Sequence, residues 1–212
     1  MIVWTIQSLH VWEMLQRDGI LYGPDTKLLQ FDDPTEWQIK VAYNWLVQQM
    51  EKKIGPRPQP ERYPLWAWYQ YDGEKRRRPD LRGPYHLQSG TKGVRIEFDI
   101  AEDQILLSDI DDWIIALNYG YLCHTEGENE AFYAKHQRSG FIEQLGQYLQ
   151  EPYHSQMLKS WERIFDLDYA SDSNWGSGKT RAEKKIQGTF WQLSLEQVRK
   201  VTFFTSRKAG NR

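Results

Sequence analysis

Apolar side chains recur along this chain with two periods, and the switches between them mark out the elements. Residues 2–7, IVWTIQ, are short, apolar and β-prone, and Ser8 is placed to cap a helix over residues 9–18, with Gly19 and Gly23 bracketing its end. A longer helix is expected after Asp33 as N-cap and Pro34 in its first turn. It carries Trp37, Val41, Trp45 and Gln48 on one face and stops near Ile54 and Gly55. Four prolines in residues 56–64, PRPQPERYP, predict an extended connector. It leads into the strand LWAWYQY, where Leu65, Ala67 and Tyr69 face one way and Trp66, Trp68 and Gln70 the other.

A charged loop, DGEKRRRPDLRGP, follows. The strand at residues 94–100, VRIEFDI, then turns Val94, Ile96, Phe98 and Ile100 inward and Arg95, Glu97 and Asp99 outward. QILLSD reads as a further strand whose Ser108 or Asp109 caps a helix through Trp113 to residue 117. Amphipathic stretches over residues 128–150 and 155–165 complete a helical middle, and IQGTFWQLSL and VRKVTFF read as two strands joined at Glu196 and Gln197. Strands at both ends with helices between them predict an α+β fold, a single domain over residues 1–206 whose sheet combines N-terminal, middle and C-terminal strands. The basic tail, residues 207–212, is expected to be disordered.

Composition narrows the function classes. The chain has 27 basic and 29 acidic residues in 212, so it is not a general nucleic-acid or membrane-surface protein, although a local basic patch is compatible with that balance. Cys123 is the single cysteine, which excludes an internal disulfide framework and a cysteine-based zinc cluster. With no secretory leader pattern and no apolar run of about twenty residues, a cytoplasmic protein is expected. Ten tryptophans and twelve tyrosines predict an aromatic-rich core, with some rings free to line a cleft.

One motif invites a false reading. NWGSGKT, residues 174–180, ends as a nucleotide-binding P-loop does, but Ser173 stands where the first glycine belongs, and no apolar strand precedes it. A mobile, Gly/Ser-rich surface loop is expected there instead.

Other residues have a more open chemistry. The polar side chains of Trp4-Thr5-Ile6-Gln7, at a strand end before a helix cap, either face a cleft or simply alternate outward. Lys75, Arg76, Arg77, Arg78 and Arg82 place five cations in eight residues. They serve either as a phosphate or nucleic-acid site or as a solvated loop. Glu97, Asp99, Asp109, Asp111 and Asp112 match no calcium-loop spacing, and the five histidines lack the spacing of a helical zinc pair, so no metal is expected. Cys123 beside His124 is only a neighbour pair, and no nucleophile elbow exists. In the segment 186–193, Gly188, Phe190 and Gln192 share one face and Gln187, Thr189, Trp191 and Leu193 the other. That strand reads either as a ribose- or amide-binding strand or as a water-facing edge.

Seven blocks in order, WTIQ, WLVQQMEKKIG, YPLWAW, RPDLR, QILLSDIDDW, SWERIFD and IQGTFWQLSLEQVRKVTFF, resemble a family of short bacterial proteins described as a domain of unknown function. The order of parts is also similar to the ADP-ribosyltransferase-like fold. In that fold an early strand carries a ligand-binding residue, and a helix ends near a glycine. A middle strand bears an aromatic, and a substrate-recognition loop leads into a late strand with a catalytic carboxylate. The matching places are residues 4–7, 15–23, 66–69, 171–185 and 187–193.

That resemblance implies NAD as cofactor, held by Trp4, Gln7, Trp68 and, at the diphosphate, Arg82, with Thr5, Gln187 and Gln192 as the catalytic positions. An amide, Gln192 or Gln187, stands where the glutamate is expected. It can hold a ribose hydroxyl but cannot neutralise an oxocarbenium ion, so either Glu183 or Glu196 supplies charge from nearby or the protein binds nucleotide without efficient transfer. The alternative is a non-catalytic module that recognises a nucleotide, a nucleic acid through Lys75, Arg76, Arg77 and Arg78, or another protein.

Overall fold

Eight strands and five helices follow one another along the described residues of the computed structural model, which are 1–26, 37–84, 86–138, 149–170 and 178–207. In chain order they are β1 (Ile2–Ser8), α1 (Leu9–Asp18), β2 (Ile20–Tyr22), α2 (Trp37–Lys53), β3 (Leu65–Gln70), β4 (Lys92–Asp99), β5 (Leu106–Asp109), α3 (Ile110–Leu117), α4 (Glu126–Arg138), α5 (Tyr153–Ser160), β6 (Ile186–Phe190), β7 (Gln192–Ser194) and β8 (Val198–Thr205). Asp33, Pro34, Ser173 and residues 174–177 lie outside the described residues, as do 139–148 and 208–212, on which parts of the expected helix, loop and tail fall.

The local signals at the helix ends act as expected. Ser8 Oγ accepts a hydrogen bond from the Val11 amide at 3.4 Å, and Gly19, at φ 74°, closes α1 by donating its amide to the Leu15 carbonyl at 2.9 Å. Asp109 caps α3 by accepting from the Asp111 amide at 2.9 Å.

Six strands form one antiparallel sheet in the order β5-β6-β3-β1-β4-β8, so N-terminal, middle and C-terminal segments meet in a single mixed α/β domain. The alternation within each strand then builds two cores. Val3, Ile96, Phe98 and Phe190 share the face on which Trp12 and Leu15 of α1 pack, together with Leu21 and Leu193 of a small β2–β7 sheet. On the opposite face, Trp66 and Leu106 meet Trp45, Leu46, Met50, Trp113 and Trp161 of the helical layer. Five tryptophans, Trp12, Trp45, Trp113, Trp161 and Trp191, therefore belong to the two cores, and Trp4 is buried outside them.

Two expectations change at the C-terminal end. IQGTFWQLSL is two strands, because the chain breaks at Trp191, whose indole N–H donates to the Gly55 carbonyl at 3.1 Å on the helical side. Leu193 consequently packs with the β2–β7 sheet and not beside Thr189. Nor is β6 an edge: it runs between β3 and β5, with Phe190 buried and Gly188 against Ile105, where a Cβ would come within 2.4 Å.

Candidate functional site

The sheet opens in its middle. Among the described residues β1 and β3 are paired in register only at Trp4 and Trp68, whereas β1 pairs with β4 along its whole length. Beyond that single pair the two strands lack each other as ladder partners. A cleft of about 330 Å³ occupies the opening, lined by Thr5 and Gln7 from β1, Trp66 and Trp68 from β3, and Gln187 from β6.

Each of these residues is placed by identifiable contacts. Thr5 is buried beside Ile96, and its Oγ1 accepts a hydrogen bond from Gln7 Nε2 at 2.9 Å, so the two β1 side chains form one unit. Gln187 stands opposite Trp68 on one side and Ser108 on the other. The chain just before it is pinned three ways. Gln70 Nε2 donates to the carbonyls of Arg181 and Lys184 at 2.8 and 2.7 Å, the Ile110 amide donates to the Lys185 carbonyl at 3.1 Å, and the Lys184 ammonium pairs with Asp109 at 3.2 Å. Both side chains of that ion pair are 4% exposed, so β6 begins from a buried anchor.

Aromatic groups form the far wall. Tyr43 meets Tyr63 edge-on at 5.3 Å and Trp66 at 6.4 Å. Burial raises both tyrosine hydroxyls above their usual range, so they stay protonated donors at neutral pH. The Trp66 indole N–H is buried without an acceptor in hydrogen-bond geometry, although it lies near enough to the Tyr43 hydroxyl to favour that group's ionised form slightly. An unmade hydrogen bond of this kind costs roughly 1–3 kcal/mol. Tyr63 is itself held from behind: the Gly23 backbone sits against it, where a Cβ would approach the Tyr63 carbonyl oxygen to 1.9 Å.

Four of the sequence-derived candidates, Thr5, Gln7, Trp68 and Gln187, thus line one cleft. The other three lie elsewhere. Gln192 is exposed on β7, opposite Tyr22, away from the opening. Trp4 and Arg82 line a neighbouring cavity, in which Trp4 Nε1 donates to Glu97 at 2.8 Å and Arg82 forms a two-pronged pair with the exposed Asp80. Glu183 accepts from the amide and hydroxyl of Thr180 at 3.0 and 2.8 Å, and Glu196 is exposed beside β7. Among the described residues, no carboxylate lines the cleft.

Sequence reasoning did not single out Tyr43, Tyr63 or His86, which also line it. The Tyr-Pro that closes the proline-rich connector was the available signal for Tyr63. Tyr43 and His86 reach the cleft only through tertiary packing.

Lys179, the lysine of the P-loop-like GKT, is held by Asp111 at 2.7 Å. Among the described residues no group of three or more His, Cys, Asp and Glu side chains is arranged to hold a metal ion, and no helix is long and apolar enough to cross a membrane.

Neither curated proteins nor solved structures gave a match to this chain. Residues 2–199 match the model of one family along nearly their whole length, and the chain belongs to that family, described as Domain of unknown function (DUF3841).

Proposed function

We propose that the protein binds NAD or a closely related nucleotide in the cleft between β1 and β3, as an ADP-ribosyltransferase-like protein. The observation that carries the reading is the convergence of Thr5, Gln7, Trp68 and Gln187, from three strands far apart in sequence, on one opening in the sheet. A planar pyridinium or purine ring stacks on an indole, and Trp68 supplies one. The amides of Gln7 and Gln187 offer donors and acceptors for ribose hydroxyls and a carboxamide.

Chemistry at the cleft is limited by its charge. Breaking the bond between nicotinamide and ribose builds positive charge on the sugar, and a preorganised carboxylate is what lowers that barrier. With amides and neutral tyrosines in its place, binding with slow or no transfer is the reading that fits this member. The lone, buried Cys123 fits the reducing cytoplasm.

The test is a titration of the protein with NAD, following tryptophan fluorescence, with nicotinamide release measured in parallel. Saturable quenching with little nicotinamide is expected, and Gln7→Ala should weaken binding about tenfold, the effect of losing one hydrogen bond in a closed site. Absence of quenching by NAD, ADP-ribose and the mononucleotides would overturn the reading.

A further inference from the structure

A second cavity, of about 700 Å³, lies on the face of the sheet that carries Trp68. Trp4, in its wall, is the register partner of Trp68 in the cleft. The lining combines Arg95 of β4 with all five cations of residues 75–82, against three carboxylates, Asp72, Asp80 and Glu97. Asp72 is taken by Arg76 at 2.9 Å, and Asp80 by Arg82 at 2.6 Å. Glu97 accepts from the Trp4 indole. The balance left on Lys75, Arg77, Arg78 and Arg95 is positive, in a chain whose net charge is −2.

This is a built surface as well as a charged run. Arg77 lies over the Tyr69 ring at 4.3 Å and donates through Nε to the Tyr69 carbonyl at 3.1 Å, which holds its guanidinium plane in place. Arg95 Nη1 donates to the Pro79 carbonyl at 2.6 Å and so ties the basic loop to the sheet. Burial and the neighbouring Arg78 charge act against the charged form of Arg95, while Glu97 and Asp80 act for it. Tyr71, whose ring packs against Trp68 at 4.9 Å and His86 at 5.8 Å, stands at the border of the two cavities.

We infer that this cavity binds single-stranded nucleic acid, with phosphates on Lys75, Arg78 and Arg95 and a base stacked at Tyr71 or on the Arg77 plane. Basic side chains interleaved with planar groups are what single-strand recognition requires. The volume is that of a small-ligand site, roughly 300–1,000 Å³, so it admits a short stretch of strand and no duplex. Because the chain as a whole carries a slight net negative charge, the attraction is local. The inference is independent of nucleotide binding in the cleft.

The experiment is fluorescence anisotropy of a labelled ten-residue oligothymidine over a range of salt concentrations, using the full chain. Three phosphate contacts predict a log–log salt slope of about −2. The double variant Lys75→Ser/Arg78→Ser, both positions being exposed, should keep its melting temperature and flatten that slope by one or more. Tyr71→Leu should weaken binding at least about fivefold with the salt slope unchanged. A cleft variant, Gln187→Ala, should leave oligothymidine binding intact, and the Lys75/Arg78 variant should leave NAD quenching intact, so either reading can fail alone. Equal binding of a duplex of the same length, full competition by inorganic pyrophosphate or a phosphotyrosine peptide at the same concentration of phosphate, or indifference to the Lys75/Arg78 change would each overturn the inference.

Discussion

On the proposed reading, Gln187 is the residue on which the chemistry turns. Its amide occupies a cleft in which no carboxylate lines the walls among the described residues, so a ribosyl cation formed there would lack an opposing charge. Gln187→Glu changes one atom and adds that charge. Nicotinamide release from NAD should rise by about a hundredfold, the equivalent of roughly 3 kcal/mol of electrostatic stabilisation in the transition state. The same change made at Gln192, exposed on β7, should have no effect on release. Asp112 offers a second prediction at this scale. Burial, and then the Asp109 charge, push its carboxyl up to about 6 from an ordinary value of 3.8. A raised carboxyl binds its proton more tightly in the folded state than in the unfolded one, so stability is highest below the unfolded value and falls as pH rises from about 4 to about 6. The loss amounts to about 2–3 kcal/mol by pH 7. Asp112→Asn should remove that slope and melt higher than the native protein at pH 7, in melts run from pH 4 to 8. Glu128, held down to about 2 chiefly by Arg163, works in the opposite direction, and only below about pH 4.5.

At the scale of elements, β6 is positioned by groups outside it. Lys184 sits in a buried pair with Asp109, the residue that also caps α3, so one contact fixes both the start of β6 and the start of a helix. Lys184→Met strands the Asp109 carboxylate in the interior and should cost about 3–5 kcal/mol. Adding Asp109→Asn removes the stranded charge while keeping a capping oxygen, and should recover a large part of the loss in denaturant titrations. If the single and double variants were equally destabilised, the pair would not be what anchors this end. Much at this scale was legible in the sequence. Ser8 and Gly19 delimit α1, the alternation in VRIEFDI gives the two faces of β4, and Asp109 starts α3. What was hidden depends on partners far along the chain. β2 and β7 are three residues each and exist by pairing with one another, and the break at Trp191 is set by where its indole finds the Gly55 carbonyl. Whether Gln187 or Gln192 faces the cleft is likewise a matter of register against β3 and β5, which no local pattern contains.

Taken as a whole, the molecule uses its two layers unequally. The face of the sheet that carries α1 is filled by apolar side chains, whereas on the other face the helical layer covers Trp66 and Leu106 and leaves Trp4, Arg95 and Glu97 to line the basic cavity. The gap between β1 and β3 lies beside that uncovered half, so the cleft and the cationic cavity are neighbours by construction. Sequence reading found both charge and rings but not their adjacency. Arg95 reads as an ordinary outward position on an alternating strand, and only the sheet order brings it beside residues 75–82.

The central claim is that the opening between β1 and β3 is a nucleotide site. Its most direct test is isothermal titration of NAD into the native protein and into Trp68→Leu. Saturable binding by the native chain, weakened at least about fivefold in the variant by loss of ring stacking, is the predicted result. No heat of binding for the native protein, or equal affinity in the two, would contradict it.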